Sequence, residues 1–166
     1  MLDNHSVSSE HPDWSREHRN SWTWEPSRSL IGCLRAYQSH KLRRGVIARM
    51  LRVVAIVRHR FWSAVTGADI PLNCKIGGGL LMPHPNGVVI HPDASIGPNC
   101  LIFQQATIGA SRRGVPTVGG HVDIGAGAKI IGPVKIGNHV VIGVNAVVVF
   151  DVPDGATVVS PVGIIK

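Results

Sequence analysis

A six-residue period carried by one class of side chain dominates the second half of this sequence. Ile90, Ile96, Ile102 and Ile108 form one run; Val118, Ile124, Ile130, Ile136, Ile142 and Val148 form a second. One residue on stands glycine at Gly97, Gly109, Gly119, Gly125, Gly137 and Gly143, and four residues on stands a small or branched apolar residue such as Ala94, Cys100, Ala106, Val122 or Ala128. A strict period of six fits neither a helix at 3.6 residues per turn nor a simple hairpin. It suits a short strand and a turn, repeated, with the aliphatic side chain aimed at the axis and glycine or asparagine at a corner where φ is often positive. Such coils stack into a parallel β-helix, each burying the open edge of its neighbour. Three hexapeptides close each coil into a triangle.

The period breaks in two places. Ten positions rather than six separate Ile108 from Val118, so four extra residues bulge outward within "GASRRGVPT". Fourteen rather than twelve separate Ile76 from Ile90, a slip of two that contains His84. Unbroken periodicity would aim His84 inward, six residues before Ile90; the slip frees it.

Ahead of the repeats the texture differs. Residues 1–26 are polar, with Trp14, Trp22 and Trp24 expected to pack on another part of the chain. Residues 27–44 and 45–66 are poor in glycine, free of proline and predicted helical. In the second helix Ile47, Met50, Leu51, Val53, Val54, Val57, Phe61, Trp62 and Val65 fall on one broad side, opposite Arg49, Arg52 and Arg60, with Arg58 on the apolar side. That side needs a partner surface: the rest of the chain, another subunit or a membrane interface. The expected division is therefore a polar and α-helical segment over 1–68 and a β-helix over 69–166.

The formal charge of +7 is concentrated. Residues 27–68 hold nine Lys or Arg and no acid, against six basic and five acidic residues over 69–166. A nucleic-acid reader would bring a recognisable fold or interleaved aromatics, and neither is present. The opening residues lack an apolar signal core and the apolar runs are short, which predicts a cytoplasmic chain. Cys33, Cys74 and Cys100, odd in number and widely spaced, suit a reducing compartment and buried structural roles.

Five motifs carry a family resemblance: "ADIPLNCKIGGGL", "HPNGVVI", "QQATIG", "VDIGAGAKIIGPVKIGNHVVIG" and "DVPDGATVVSPVGIIK". Through them residues 69–166 resemble the hexapeptide-repeat acyltransferases of the serine O-acetyltransferase type, including relatives that acetylate sugars in surface-polysaccharide pathways. The resemblance implies a left-handed β-helix, a homotrimer, and acetyl-CoA bound in a cleft between adjacent prisms, with no metal.

The resemblance also implies site residues. His84, in "HPNG", matches the family's catalytic histidine, and Asp69, in "ADI", matches its carboxylate partner. Neutral imidazole suits the task of taking the hydroxyl proton as oxygen attacks a thioester, and a carboxylate on its second nitrogen would orient it. Gly125, Ala126, Gly127, Ala128 and Lys129 of "GAGAK", then Gly143, Asn145, Pro161 and Lys166, match segments that line the pantetheine and nucleotide. Gln104, Arg112, Arg113 and the loop from Ala110 to Thr117 are expected to shape the acceptor site. Pro83 stands where serine acetyltransferases carry an aspartate, and Gly114 and Val115 stand where they carry arginine and histidine. That departure favours a sugar hydroxyl as acceptor, with serine as the alternative. Two rival readings are a non-catalytic scaffold docked through its basic helix and a zinc carbonic anhydrase on the same fold. The second needs histidines five apart, a spacing that no two histidines here have.

Overall fold

The computed structural model describes residues 7–20 and 22–165. Lys166, one of the residues matched to the nucleotide end, lies outside them. A 3-10 turn over Trp14–Glu17 precedes two helices, α1 (Pro26–Lys41) and α2 (Val46–Thr66). Beyond α2 the described residues form twelve strands of two or three residues, arranged as three four-stranded parallel sheets. The result is a left-handed triangular β-helix of about five turns with a helical lead.

Register follows the aliphatic period. Ile76, Ile96, Val118 and Ile136 stack in one sheet, Ile90, Ile108, Ile130 and Val148 in the second, and Ile102, Ile124, Ile142 and Val158 in the third. Where the period is unbroken a coil takes eighteen residues, as from Ile124 to Ile142. The extra four residues lengthen one coil to twenty-two, as from Ile102 to Ile124, and the slip near His84 makes the first coil twenty, as from Ile76 to Ile96. A third break, not read from the sequence, shortens the last coil to sixteen: Ile142 pairs with Val158, and Ile136 bridges to Val152. Both the aliphatic positions and those four residues on are buried, from Ala94 through Val152, so the prism interior is filled from both. Cys100 lies fully inside and Cys74 nearly so, and burial pushes both thiols up to about 11.

The glycines of the repeat serve a different purpose from the one expected. None of Gly97, Gly119, Gly125, Gly137 or Gly143 has a positive φ. They stand where coils touch: a Cβ on Gly97 would lie 2.5 Å from the backbone of Gly119 and Gly120. The left-handed corners belong instead to residues three after the inward aliphatic, namely Asn99, Gln105, His121, Gly127, His139 and Asn145. Asparagine tolerates that conformation through local polar contacts, and glycine through lack of a side chain.

The helical lead caps the first coil. Leu30, Ile31 and Leu34 of α1 join Ile70, Ile76, Leu80 and Met82 in one apolar core. Trp24 packs on Trp62 with ring centroids 5.3 Å apart, and Trp14 lies against Gly78, where its ring would meet an added Cβ at 2.6 Å. Trp22 is exposed. Helix α2, however, docks by a face that the wheel had not singled out. Ala48, Ala55, His59 and Thr66 are buried, while Ile47, Met50, Val53, Val57 and Phe61 are exposed. His59 shares a 2.9 Å hydrogen bond with the carbonyl of Ile70, so a polar contact and close-packing alanines set the docking face.

Candidate functional site

The segment around His84 is shaped by the end of α2. Gly67, in the left-handed region at φ 65°, closes the helix by donating its N–H to Ser63 O at 2.8 Å. Its carbonyl then accepts from Gly87 N at 2.9 Å, which ties the helix end to the loop that follows His84. The two-residue slip appears directly in the burial: Leu80 and Met82 face the core, Pro83 and His84 face outward, and Val88 returns inside.

His84 lines a cleft of about 620 Å³ with Trp24, Glu25, Arg28, Val65 and Asn86 among its walls. Glu25 and Arg28 form an ion pair at 2.9 Å across its helical side. Sequence reasoning missed this wall, because nothing in the local pattern of residues 24–28 announces a neighbour sixty residues away.

From Asn86 a column of corners descends one edge of the prism. Gln105 N donates to Asn86 O at 2.9 Å, Gly127 N to Gln104 O at 2.9 Å and Asn145 N to Ala126 O at 2.8 Å. The Gln105 carboxamide also donates to Asn86 Oδ1 at 3.2 Å, and the Lys129 ammonium to the Gln105 carbonyl. The structure thus aligns Gln104, the "GAGAK" segment and Asn145 in succession below the His84 loop. Gly125 leaves no room for a Cβ, which would stand 2.7 Å from Val144 N, and Gly143 donates to Val158 O at 2.7 Å. The Gln104 Oε1 is buried without a hydrogen-bond partner among the described residues. Pro161 lies exposed in the tail beyond the last strand.

Other expected members lie elsewhere. Asp69 enters the second sheet beside Val89, engaged through its backbone, with an exposed side chain. Within this chain no hydrogen bond or ion pair joins it to His84 among the described residues. Arg112 and Arg113 line a separate cleft of about 330 Å³ with Gly132, Pro133 and Val149, at a different corner of the prism. Among the described residues no cluster of three or more His, Cys, Asp or Glu could hold a metal ion.

No protein-family model matches the chain. It is 39% identical over 149 residues to the serine acetyltransferase of Helicobacter pylori, covering 85% of this chain and 83% of that one. It is 40% identical over 132 residues to the serine acetyltransferase of Mycobacterium tuberculosis, covering 77% of this chain but only 58% of that longer protein. Among solved structures it resembles Neisseria gonorrhoeae serine acetyltransferase in complex with serine, with a TM-score of 0.68 and 32% identity over 83% of this chain and 56% of that one. A serine acetyltransferase in complex with CoA is similar at a TM-score of 0.66 and 31% identity, over 81% and 54%. With 39% identity over 85% of this chain and 83% of the H. pylori protein, the chain belongs to the serine acetyltransferase family.

Proposed function

We propose that this chain transfers an acetyl group from acetyl-CoA to the hydroxyl of serine, with His84 as general base. The observation that carries the reading is the position of His84. It is exposed on a cleft it shares with a carboxylate and a guanidinium, two residues before the head of the column that runs down to Asn145. Relatives solved with serine and with CoA support both substrates.

In this mechanism the His84 imidazole accepts the hydroxyl proton as the oxygen attacks the thioester carbonyl carbon. The C–S bond then breaks, and the imidazolium returns its proton to the departing thiolate. The column of small residues provides bare backbone groups for the pantetheine amides, and Gln104 shapes the acceptor site. The family resemblance implies Asp69 as the carboxylate that orients His84, Arg112 and Arg113 at the acceptor site, and a homotrimer with acetyl-CoA between adjacent prisms.

The preference for a saccharide acceptor, drawn from Pro83, Gly114 and Val115, gives way to serine because the relatives are serine acetyltransferases. The charges those substitutions remove have a replacement in the cleft itself. Arg28 is matched in chemistry to the amino acid carboxylate and Glu25 to its ammonium group.

Thiol release from acetyl-CoA by the purified full-length chain tests the reading. Turnover that depends on L-serine supports it. Turnover with a hexose alone would reassign the acceptor, and none with either would leave the scaffold.

A further inference from the structure

The outward side of α2 has no part in the acetyl transfer proposed above. Val46, Met50, Val53, Val57 and Phe61 are each more than half exposed along it. Such a stripe on a described surface marks an interaction site. Its borders are cationic: Arg49 and Arg60 flank one edge and Arg58 the other, all exposed. Among the described residues none of Lys41, Arg43, Arg44, Arg49, Arg58 and Arg60 forms an ion pair. Like charge on both partners opposes packing of this helix on a second copy of itself, whereas an anionic surface complements it.

A second observation agrees. Leu51 and Val54 line a cleft of about 310 Å³ between α1 and α2 whose other walls include Glu17, Arg19, Arg28 and Arg58. His40 lines it too, and its buried Nδ1 has no hydrogen-bond partner among the described residues. Glu17 and Arg28 are engaged with Arg35 and Glu25, which leaves the Arg19 and Arg58 guanidiniums beside aliphatic side chains to match a phosphate headgroup with its acyl chain alongside. No helix among the described residues is long and apolar enough to cross a membrane, so α2 would lie on the surface.

We infer that α2 is an interfacial helix that docks this protein on anionic phospholipid bilayers. The basic residues snorkel to the headgroups while Val53 and Val57 enter the acyl boundary. Val65, at the end of α2, also lines the His84 cleft, so docking places that cleft next to the lipid surface.

Vesicle sedimentation of the full-length chain tests this. With phosphatidylcholine vesicles containing about one-third phosphatidylglycerol, binding should be at least about tenfold tighter than to pure phosphatidylcholine, and should weaken as salt rises to about 0.5 M. Val53→Glu with Val57→Glu should lower binding about tenfold or more at unchanged elution volume and helicity. Arg49→Ser with Arg60→Ser changes only exposed cations and should lower binding without touching the apolar stripe. No sedimentation of the parent with the anionic vesicles overturns the inference, as does undiminished binding by both variants. Failure of the parent to bind, together with a fall in oligomeric mass for the glutamate variant, would give the stripe to a second copy.

Discussion

Arg35 holds Glu17 in a two-point ion pair, Nε to Oε2 at 3.0 Å and Nη2 to Oε1 at 2.8 Å, and both side chains are largely buried. The same guanidinium donates to the carbonyls of Ile76 and Gly77 at 2.6 Å, and Glu17 Oε1 accepts from Leu80 N at 3.0 Å. The pair therefore clamps the 3-10 turn, α1 and the first coil at the segment that leads into His84. Removing one partner strands the other charge. Arg35→Ala and Glu17→Gln should each destabilise the fold by about 3–5 kcal/mol, read as a lowered urea midpoint, and a change under about 1 kcal/mol would contradict the clamp.

His84→Ala should reduce serine-dependent kcat/KM by about a hundredfold to ten-thousandfold. CoA affinity by calorimetry and oligomeric mass should stay at parental values, since the exposed ring makes no hydrogen bond that the fold needs.

Arg28→Gln should raise KM for serine roughly tenfold with little change in kcat, the signature of lost ground-state binding. Steady-state kinetics at saturating acetyl-CoA reads the split. An effect on kcat alone would remove Arg28 from serine recognition.

Gly97→Ala should cost about 3 kcal/mol, because its Cβ would lie 2.5 Å from backbone atoms that cannot move without parting two coils. Gly155→Ala should cost only about 1 kcal/mol: its φ of 70° strains alanine, but nothing lies within 4 Å. Chemical denaturation of the two variants ranks the close approach against the backbone strain.

Acid should weaken the fold from about pH 6.5 downward. Burial holds His121 below the ordinary imidazole value, with the His139 ring, its Nδ1 2.9 Å from His121 Nδ1, adding to the depression. The unfolded chain then binds a proton that the folded chain resists, so stability present above the unfolded value of 6.5 is lost as pH falls below it. His59 is depressed in the same direction, chiefly by burial. His121→Asn, which keeps a residue tolerant of its left-handed backbone, should flatten the pH dependence of the melting temperature between about pH 7 and 5.

The β-helix was legible because its signal is repeated: every inward Ile or Val votes for the same register. Even there, the role of the repeat glycines was misread, since a close approach between coils leaves the same residue in the sequence as a positive φ. Asn99, Asn145 and Gly127, three residues after Ile96, Ile142 and Ile124, did carry the corner signal, whereas Gln105, His121 and His139 take the same conformation without one. For the site, the slip around His84 and the "GAGAK" column could be read locally or by resemblance. The Trp24 to Arg28 wall could not, because it reaches the cleft only through the docking of α1.

By itself the sequence determined the period, hence the parallel stacking of Ile76 over Ile96 and Ile102 over Ile124, because six-residue spacing leaves no other way to bury so many aliphatics. Tertiary structure alone decided how the lead sits. Asn99, almost fully buried, binds Asp13 N at 2.7 Å and the carbonyls of Ser8 and His11 at 2.7 and 2.8 Å, contacts that span more than eighty residues. Likewise α2 turned its small residues inward and its large aliphatics outward, because Ala48 and Ala55 permit close approach and His59 reaches a carbonyl of the first coil. Hydrophobicity marks which side of a helix can be buried; the shape and hydrogen bonding of the surface beneath it decide which side is.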